Sequence, residues 1–360
     1  MTHAPFAVAV ELDGGGAHPA AASAFDRVTE PWLEPRRVAE VVARAERFGF
    51  TAATFQDAPL GPSARLDAVQ RAAFAAPLTS GIGLLPVVST AYSEPFHVAT
   101  QLASLDWASS GRAGWIVRAD ALGDEAAAYG RPPLDDASAA REAADAVEVA
   151  RRLWDSWQDD AVIRDVATGR YLDADRLHYA DFVGETYAVK GPSIVPRPPQ
   201  GQLVVASDRV ADAEIALVSA RDEGAVVARA AELRAEGRAR VVVELDVVLD
   251  ARGVSAERRL AALGGWPDGG SAGGGSADGG RLRWAGDAHG LAALVARLAE
   301  VSDGVRLHPA VLDVDLEELG RLVLPALRRT IGFRSPVAGA TLRETLGLAK
   351  PANRFERTAA

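Results

Sequence analysis

Short β-rich runs alternate along the whole chain with longer segments of helical period. That alternation limits the architecture to parallel strands joined by right-handed helical crossovers. Strands are predicted at 6–12 (FAVAVEL), 51–57 (TAATFQD), 81–90 (GIGLLPVVST), 112–118 (RAGWIVR), 202–206 (QLVVA), 224–228 (GAVVA), 240–249 (RVVVELDVVL) and 304–308 (GVRLH). Between them, in PRRVAEVVARAERFG, Val38, Val41, Val42, Ala45 and Phe48 recur at three- and four-residue steps. Pro35 suits the first turn of that helix and Gly49 its C-cap. EPFHVATQLASLDWA, SAAREAADAVEVARRLWDSW, GLAALVARLAEV and DLEELGRLVLPALRRTI repeat the pattern.

Eight strands, each followed by a helix, in 360 residues is the arithmetic of an α/β fold of the (β/α)8 TIM-barrel type, a single domain over 1–360. A doubly wound open sheet is the rival. Two stretches break the alternation. Residues 159–201 are too long for a βα connection and too rich in Tyr, Phe and Val for a loose linker, which predicts an ordered insertion before strand five. A small hairpin is expected around Val183–Val189, and the insertion is expected to cover the barrel mouth. Residues 264–280 (GGWPDGGSAGGGSADGG) are about half glycine, a composition that does not repay ordering entropy and predicts a flexible Gly-rich loop.

Composition narrows the partners. With 39 basic and 49 acidic residues the formal charge is −10, the wrong sign for neutralising phosphates along a duplex, so nucleic acid is excluded as a partner. The absence of cysteine removes disulfides, thiolate metal sites and cysteine nucleophiles, and a cytoplasmic location is the default expectation. The N-terminal run has no basic, then apolar, leader pattern, and no window of about 18 apolar residues occurs, so neither export nor a membrane is signalled.

Several mechanistic motifs are missing: GxxxxGK[ST], HExxH, GxSxG and the EF-hand loop. GIGLLP has two glycines, but Pro86 follows where a dinucleotide fingerprint needs a helix start. No two of the six histidines stand at i, i+4, so no metal site is expected. What remains are polar residues at predicted C-terminal strand ends, where barrel active sites lie. They are Asp13 with His18, then Asp57, then Ser89, Thr90, Glu94 and His97, then Asp120, then Ser207, Asp208 and Arg209, and finally His308. Asp57 has a competing role as a turn cap, His97 as a packing residue at a helix start, and His18 as a surface residue of a glycine-rich loop. Trp154 and Trp157 read as barrel-wall packing.

Residues 86–120, PVVSTAYSEPFHVATQLASLDWASSGRAGWIVRAD, resemble the bacterial luciferase-like flavin-dependent monooxygenases, on the branch of nitrilotriacetate, dibenzothiophene-sulfone and long-chain alkane monooxygenases. The likeness continues in GAHPAA (16–21), in 151–182, in VKGPSIVPRPPQGQLVV (189–205) and in TLRETLGLAKPANRF (341–355). The resemblance implies a barrel binding reduced flavin mononucleotide (FMN) delivered by a flavin reductase. Oxygen would be activated there as a flavin hydroperoxide acting on a small organic substrate, and the protein would pair as a homodimer. It places Asp57 near the flavin, Ser89 and Thr90 facing its ring, His97 beside it and His18 over the substrate side. Asp120 stands in a segment where the family pattern offers an asparagine and two hydroxyls and this chain has Ile116 to Asp120. After strand five the family's phosphate turn is replaced by ASDRVADAE, which leaves Ser207 and Arg209 to bind the phosphate against Asp208, Asp212 and Glu214. A deazaflavin coenzyme on the same barrel and a catalytically silent binding subunit are the alternatives.

Overall fold

The computed structural model describes residues 5–24, 33–57, 65–119, 123–267 and 280–356. Its strands are β1 Ala7–Glu11, β2 Ala52–Phe55, β3 Gly83–Ser89, β4 Gly114–Arg118, β5 Val162–Asp165, β6 Arg170–Leu172, β7 Phe182–Val183 and β8 Ala188–Val189. They continue with β9 Val204–Ser207, β10 Ile215–Val218, β11 Arg240–Leu249, β12 Leu282–Gly286 and β13 Gly304–Pro309. Eight of them close a parallel barrel in the order β1, β2, β3, β4, β9, β10, β11, β13 and back to β1. β12 runs parallel to the upper half of β11, from Leu245 to Leu249, beyond the point where β10 stops pairing at Val243. The TIM barrel expected from the alternation is therefore the fold, and the open sheet is excluded.

The described α-helices are α1 Pro35–Phe48, α2 Ala68–Ala75, α3 Pro95–Ala108, α4 Gly123–Ala128, α5 Asp136–Asp155, α6 Glu223–Ala235, α7 Ala256–Ala262, α8 Ala288–Leu298, α9 Leu312–Glu318, α10 Leu324–Thr330 and α11 Leu342–Thr345. α1 follows its sequence signals: Pro35 opens it, Val38, Val41, Val42 and Ala45 are buried, and Gly49 ends it at φ +90° with its N–H on the carbonyls of Ala45 and Glu46. Trp154 and Trp157 are buried, and their indole N–H groups donate to Ala99 O (3.0 Å) and Ser193 O (2.8 Å).

Three expectations need correction. Residues 224–228 are helical, inside α6, because Asp222 caps the segment through Ala225 N and Val226, Ala230 and Leu233 share one buried face. The sixth barrel strand is instead the short run Ile215–Val218, and β12 was not anticipated. Nor is every strand followed by a helix, since β9 reaches β10 through 208–214 alone. The insertion does not lie over the mouth. α5 delivers the chain to the end of the barrel where strands begin, and β9 must start from that same end. The β7–β8 hairpin and the turn before it accordingly pack along α5, with Arg152 donating to Ala180 O (3.2 Å) and Asp181 O (3.1 Å), and Thr186 Oγ1 to Glu142 Oε1 (2.5 Å). Of 264–280, residues 268–279 lie outside the described residues.

The barrel floor is apolar: Ala7, Ala52, Leu85, Ile116, Val204, Ile215 and Val242 meet Leu342 and Leu346 from the C-terminal segment. Gly83 and Gly114 make the fit possible, because a Cβ at either would lie 2.8–3.0 Å from a methyl of Leu342. Below the floor a buried polar knot ties this segment down. Asp106 accepts from Gln200 Nε2 (2.6 Å), Gln200 N (3.2 Å) and Ala113 N (3.2 Å), and Gln200 Oε1 accepts from Arg343 N (3.0 Å). Burial outweighs these hydrogen bonds and raises the Asp106 carboxyl to about 6. A folded-state value above the unfolded one favours the fold at low pH, so this contribution is present below about pH 4 and lost as pH rises through 6, a cost of about 3 kcal/mol. Asp106→Asn is expected to flatten the stability profile between pH 4 and 7. Urea titrations at four pH values check this, and an unchanged slope contradicts it.

Candidate active site

Side chains alternate across a strand, so one residue in two points into the barrel. On β1 and beyond it the inward positions are Ala9, Glu11 and Asp13; on β11, Val242, Glu244 and Asp246; on β13, Arg306 and His308. Above the apolar floor the lumen is consequently ionic. Arg306 donates to Glu11 Oε2 (3.0 Å), Glu244 Oε1 (2.8 Å) and Thr54 Oγ1 (3.0 Å). Arg281, the residue before β12, donates to Asp246 Oδ1 (2.7 Å). His308 is wholly buried, with Nδ1 2.9 Å from Glu11 Oε2 and Nε2 3.4 Å from Glu244 Oε2, neither aligned as a hydrogen bond. Asp13 accepts from Gln56 N (2.5 Å) and pairs with Arg71, which reaches in from α2 and also donates to Gln56 O.

Burial pushes the Glu11 and Glu244 carboxyls up, but the surrounding Arg306, His308 and Arg281 outweigh it and hold both far below the usual carboxylate range. Asp13 goes the other way. Burial, reinforced by the nearby Glu11 carboxylate, raises it against the pull of Arg71 and Arg65. Four carboxyls, of Glu11, Asp13, Glu244 and Asp246, thus face four guanidinium groups, of Arg65, Arg71, Arg281 and Arg306.

Around this cluster the rim brings most of the sequence-predicted residues together. Ser89 and Arg118 are register partners on β3 and β4, Thr90 N donates to Arg118 O (3.2 Å), and Ile116 pairs with Ala206 beside Ser207. Arg118 forms a buried pair with Glu125 of α4, at 2.8–2.9 Å through both oxygens. Ser207 Oγ accepts from Arg209 N and Val210 N (both 3.1 Å), so its oxygen builds the turn after β9. Arg209 Nη1 lies 3.3 Å from the exposed carboxylate of Asp136. Asp212 and Glu214 do not crowd that corner, because Arg151 pairs with both and Arg343 holds Glu214 at 2.8 Å. Asp57 follows β2 by two residues and is half-buried.

His18 is buried on the opposite side of the rim, its segment hydrogen-bonded to Pro309 O and Ala310 O after β13. Gly16, at φ +133°, permits this approach, since a Cβ there would lie 2.3 Å from Ala310 O. Ala20 N donates to His18 Nδ1 (3.1 Å) and Nε2 lies 2.8 Å from Gly265 O, an arrangement that places the ring proton on Nε2. His18, His308, Asp246 and Trp266 share a small recess. His97 makes no side-chain contact with these residues among those described. It stands exposed in the first turn of α3, where Glu94 caps Phe96 N and His97 N. Asp120 lies outside the described residues. The residues missed are Glu11, Glu244, Asp246, Arg281 and Arg306, whose signal was charge recurring at every second position of otherwise apolar strands. Among the described residues no group of three or more His, Asp or Glu could hold a metal, and no helix is long and apolar enough to cross a membrane.

A family model described as luciferase-like monooxygenase matches residues 12–301. The chain belongs to this family. N-acetyl-S-(2-succino)cysteine monooxygenase of Bacillus subtilis is 44% identical over 131 residues, which is 36% of this chain and 30% of that protein. The aligned part thus spans under a third of that relative's length. A pristinamycin IIA synthase subunit of Streptomyces pristinaespiralis is 31% identical over 324 residues, covering 90% of this chain and 92% of that one. Among solved structures, long-chain alkane monooxygenase superposes with a TM-score of 0.81 at 20% identity, over 96% of each chain, which speaks for the fold. The family that residues 86–120 resemble is thus the one matched.

Proposed function

We propose that this luciferase-like barrel is a flavin-dependent monooxygenase of the two-component type, acting on a small organic substrate with reduced FMN from a partner reductase. The observation that carries the reading is a pair of buried hydroxyls, Ser89 Oγ and Tyr92 Oη, with no hydrogen-bond partner among the described residues. Buried polar groups are paired in native proteins, so two orphans at one strand end mark where a polar-edged ligand belongs. Ser89 and Tyr92 would find partners in the carbonyl and nitrogen edge of an isoalloxazine ring, with Thr90 beside them. Arg209 is the phosphate ligand, because its pairing with exposed Asp136 is a weak surface contact that a dianion outcompetes. The turn after β9 adds little to this: its amides at 209 and 210 already serve Ser207, and no helix N-terminus follows.

A reduced flavin bound there supplies the two electrons with which dioxygen gives one oxygen atom to the substrate and the other to water. The chain's own part is to position, desolvate and hold protons. Glu11 and Glu244 flank the buried His308 at 2.9 and 3.4 Å where it lines the recess. His18 and Trp266 close the recess from above.

Titrating the protein with oxidised FMN, and with reduced FMN under anaerobic conditions, tests the reading. Saturable binding is expected, weakened about tenfold to a hundredfold by Arg209→Ala and severalfold by Ser89→Ala. No saturation at high micromolar FMN overturns it. A parallel deazaflavin titration then separates the hydride-transfer reading from the silent-subunit reading.

A further inference from the structure

At the end of the barrel opposite the mouth, a cavity of about 410 Å³ lies outside everything described above. Its position follows from topology: barrel helices run antiparallel to the strands, so the end of α3 (Trp107), the residues just after α5 (Asp159) and those leading into β9 (Pro196 to Pro199) all arrive at the floor. The β5–β6 hairpin adds Arg164 and Tyr171, and Lys350 arrives from beyond α11. The volume is that of a small-molecule site.

The lining has two chemical characters. Trp107 and Tyr171 leave 51% and 57% of their surface uncovered, an unusual exposure for large rings, and Trp107 is fixed by its N–H on Pro196 O (3.3 Å). Three cations accompany them. Arg197 is buried and balanced by Asp155 (3.0 Å) and Asp159 (3.0 Å). Lys350 reaches only the second oxygen of that same Asp159, at 3.4 Å, and Arg164, held at φ +49°, has no carboxylate partner among the described residues. Positive charge is therefore in excess here, on a chain whose net charge is −10. We infer that the cavity is a second binding site, for a planar aromatic anion, with its ring against Trp107 and Tyr171 and its carboxylate or phosphate on Arg164 and Lys350.

Calorimetric titration with 2-naphthoate, and with uncharged 2-naphthamide as its isostere, tests this on the intact protein. The native chain is expected to bind the acid saturably and the amide about tenfold more weakly. Trp107→Ala and Arg164→Gln are each expected to weaken 2-naphthoate about tenfold, and Arg164→Gln, an exposed change, leaves the thermal midpoint where it was. Absence of saturable binding, equal affinity for acid and amide, or an affinity that Arg164→Gln leaves unchanged overturns the inference. The last outcome places the probe elsewhere, even if Trp107→Ala fails to fold.

Discussion

Arg306→Met is expected to destabilise the protein by about 3–5 kcal/mol, because methionine fills the volume but strands two buried glutamates. Arg306 donates to Glu11, Glu244 and Thr54 at 2.8–3.0 Å, and all of these groups are buried. Its charge helps hold both glutamates ionised. Their folded-state pKa values are depressed, so the stability they contribute is full above the ordinary glutamate value of 4.5 and is lost as pH falls toward the depressed values. In the variant the deficit is expected to be full at pH 7 and to shrink in acid, as the stranded carboxyls take up protons. Urea unfolding at pH 7 and pH 5 reads both effects; a midpoint within about 0.5 kcal/mol of the native protein at pH 7 rules the account out.

Arg112→Met is expected to cost about 3–5 kcal/mol for a different reason, the loss of donors rather than of charge balance. Among the described residues no carboxylate is within ion-pair distance of this guanidinium, although Glu46 acts on it from further off. It donates to Ser109 O (2.8 Å), Ile82 O (2.8 Å), Ala76 O (2.9 Å), Thr79 O (3.0 Å) and Thr79 Oγ1 (2.9 Å). These carbonyls come from the ends of α2 and α3 and the turns beyond, where helix C-termini concentrate negative partial charge. Burial lowers the Arg112 pKa, against the pull of the Glu46 carboxylate. Arg112→Lys keeps the charge and offers three donors in place of the planar fork, so it is expected to recover about half of the loss. A lysine variant as stable as the native protein contradicts the donor argument.

What the residues disclosed before any coordinates depended on how local the signal was. α1 could be read to the residue because its apolar period, its proline and its glycine all act within one element. The alternation of strands and helices was enough for the barrel, although GAVVA misled: four apolar residues in a row look like a strand until Asp222 is recognised as a cap. The hydroxyls Ser89 and Thr90 and the turn at Ser207 and Arg209 stand at strand ends, so position alone brought them into view. The ionic lumen did not stand out, because Glu11, Glu244 and Arg306 come from β1, β11 and β13, and only ring closure shows that one guanidinium serves both carboxylates. The exposure of His97 was hidden by the same limit. Whether the first turn of a helix faces the rim or the solvent is decided by its rotation against the sheet.

Leu342 and Leu346, which seal the base of the barrel, leave the ribosome after all eight of its strands. Until they emerge, the greasy tube formed by the first strands stays open to water at one end. A chain halted between Pro309 and Leu342 is therefore expected to be a substrate for chaperones and proteases, even though all eight barrel strands have already been made.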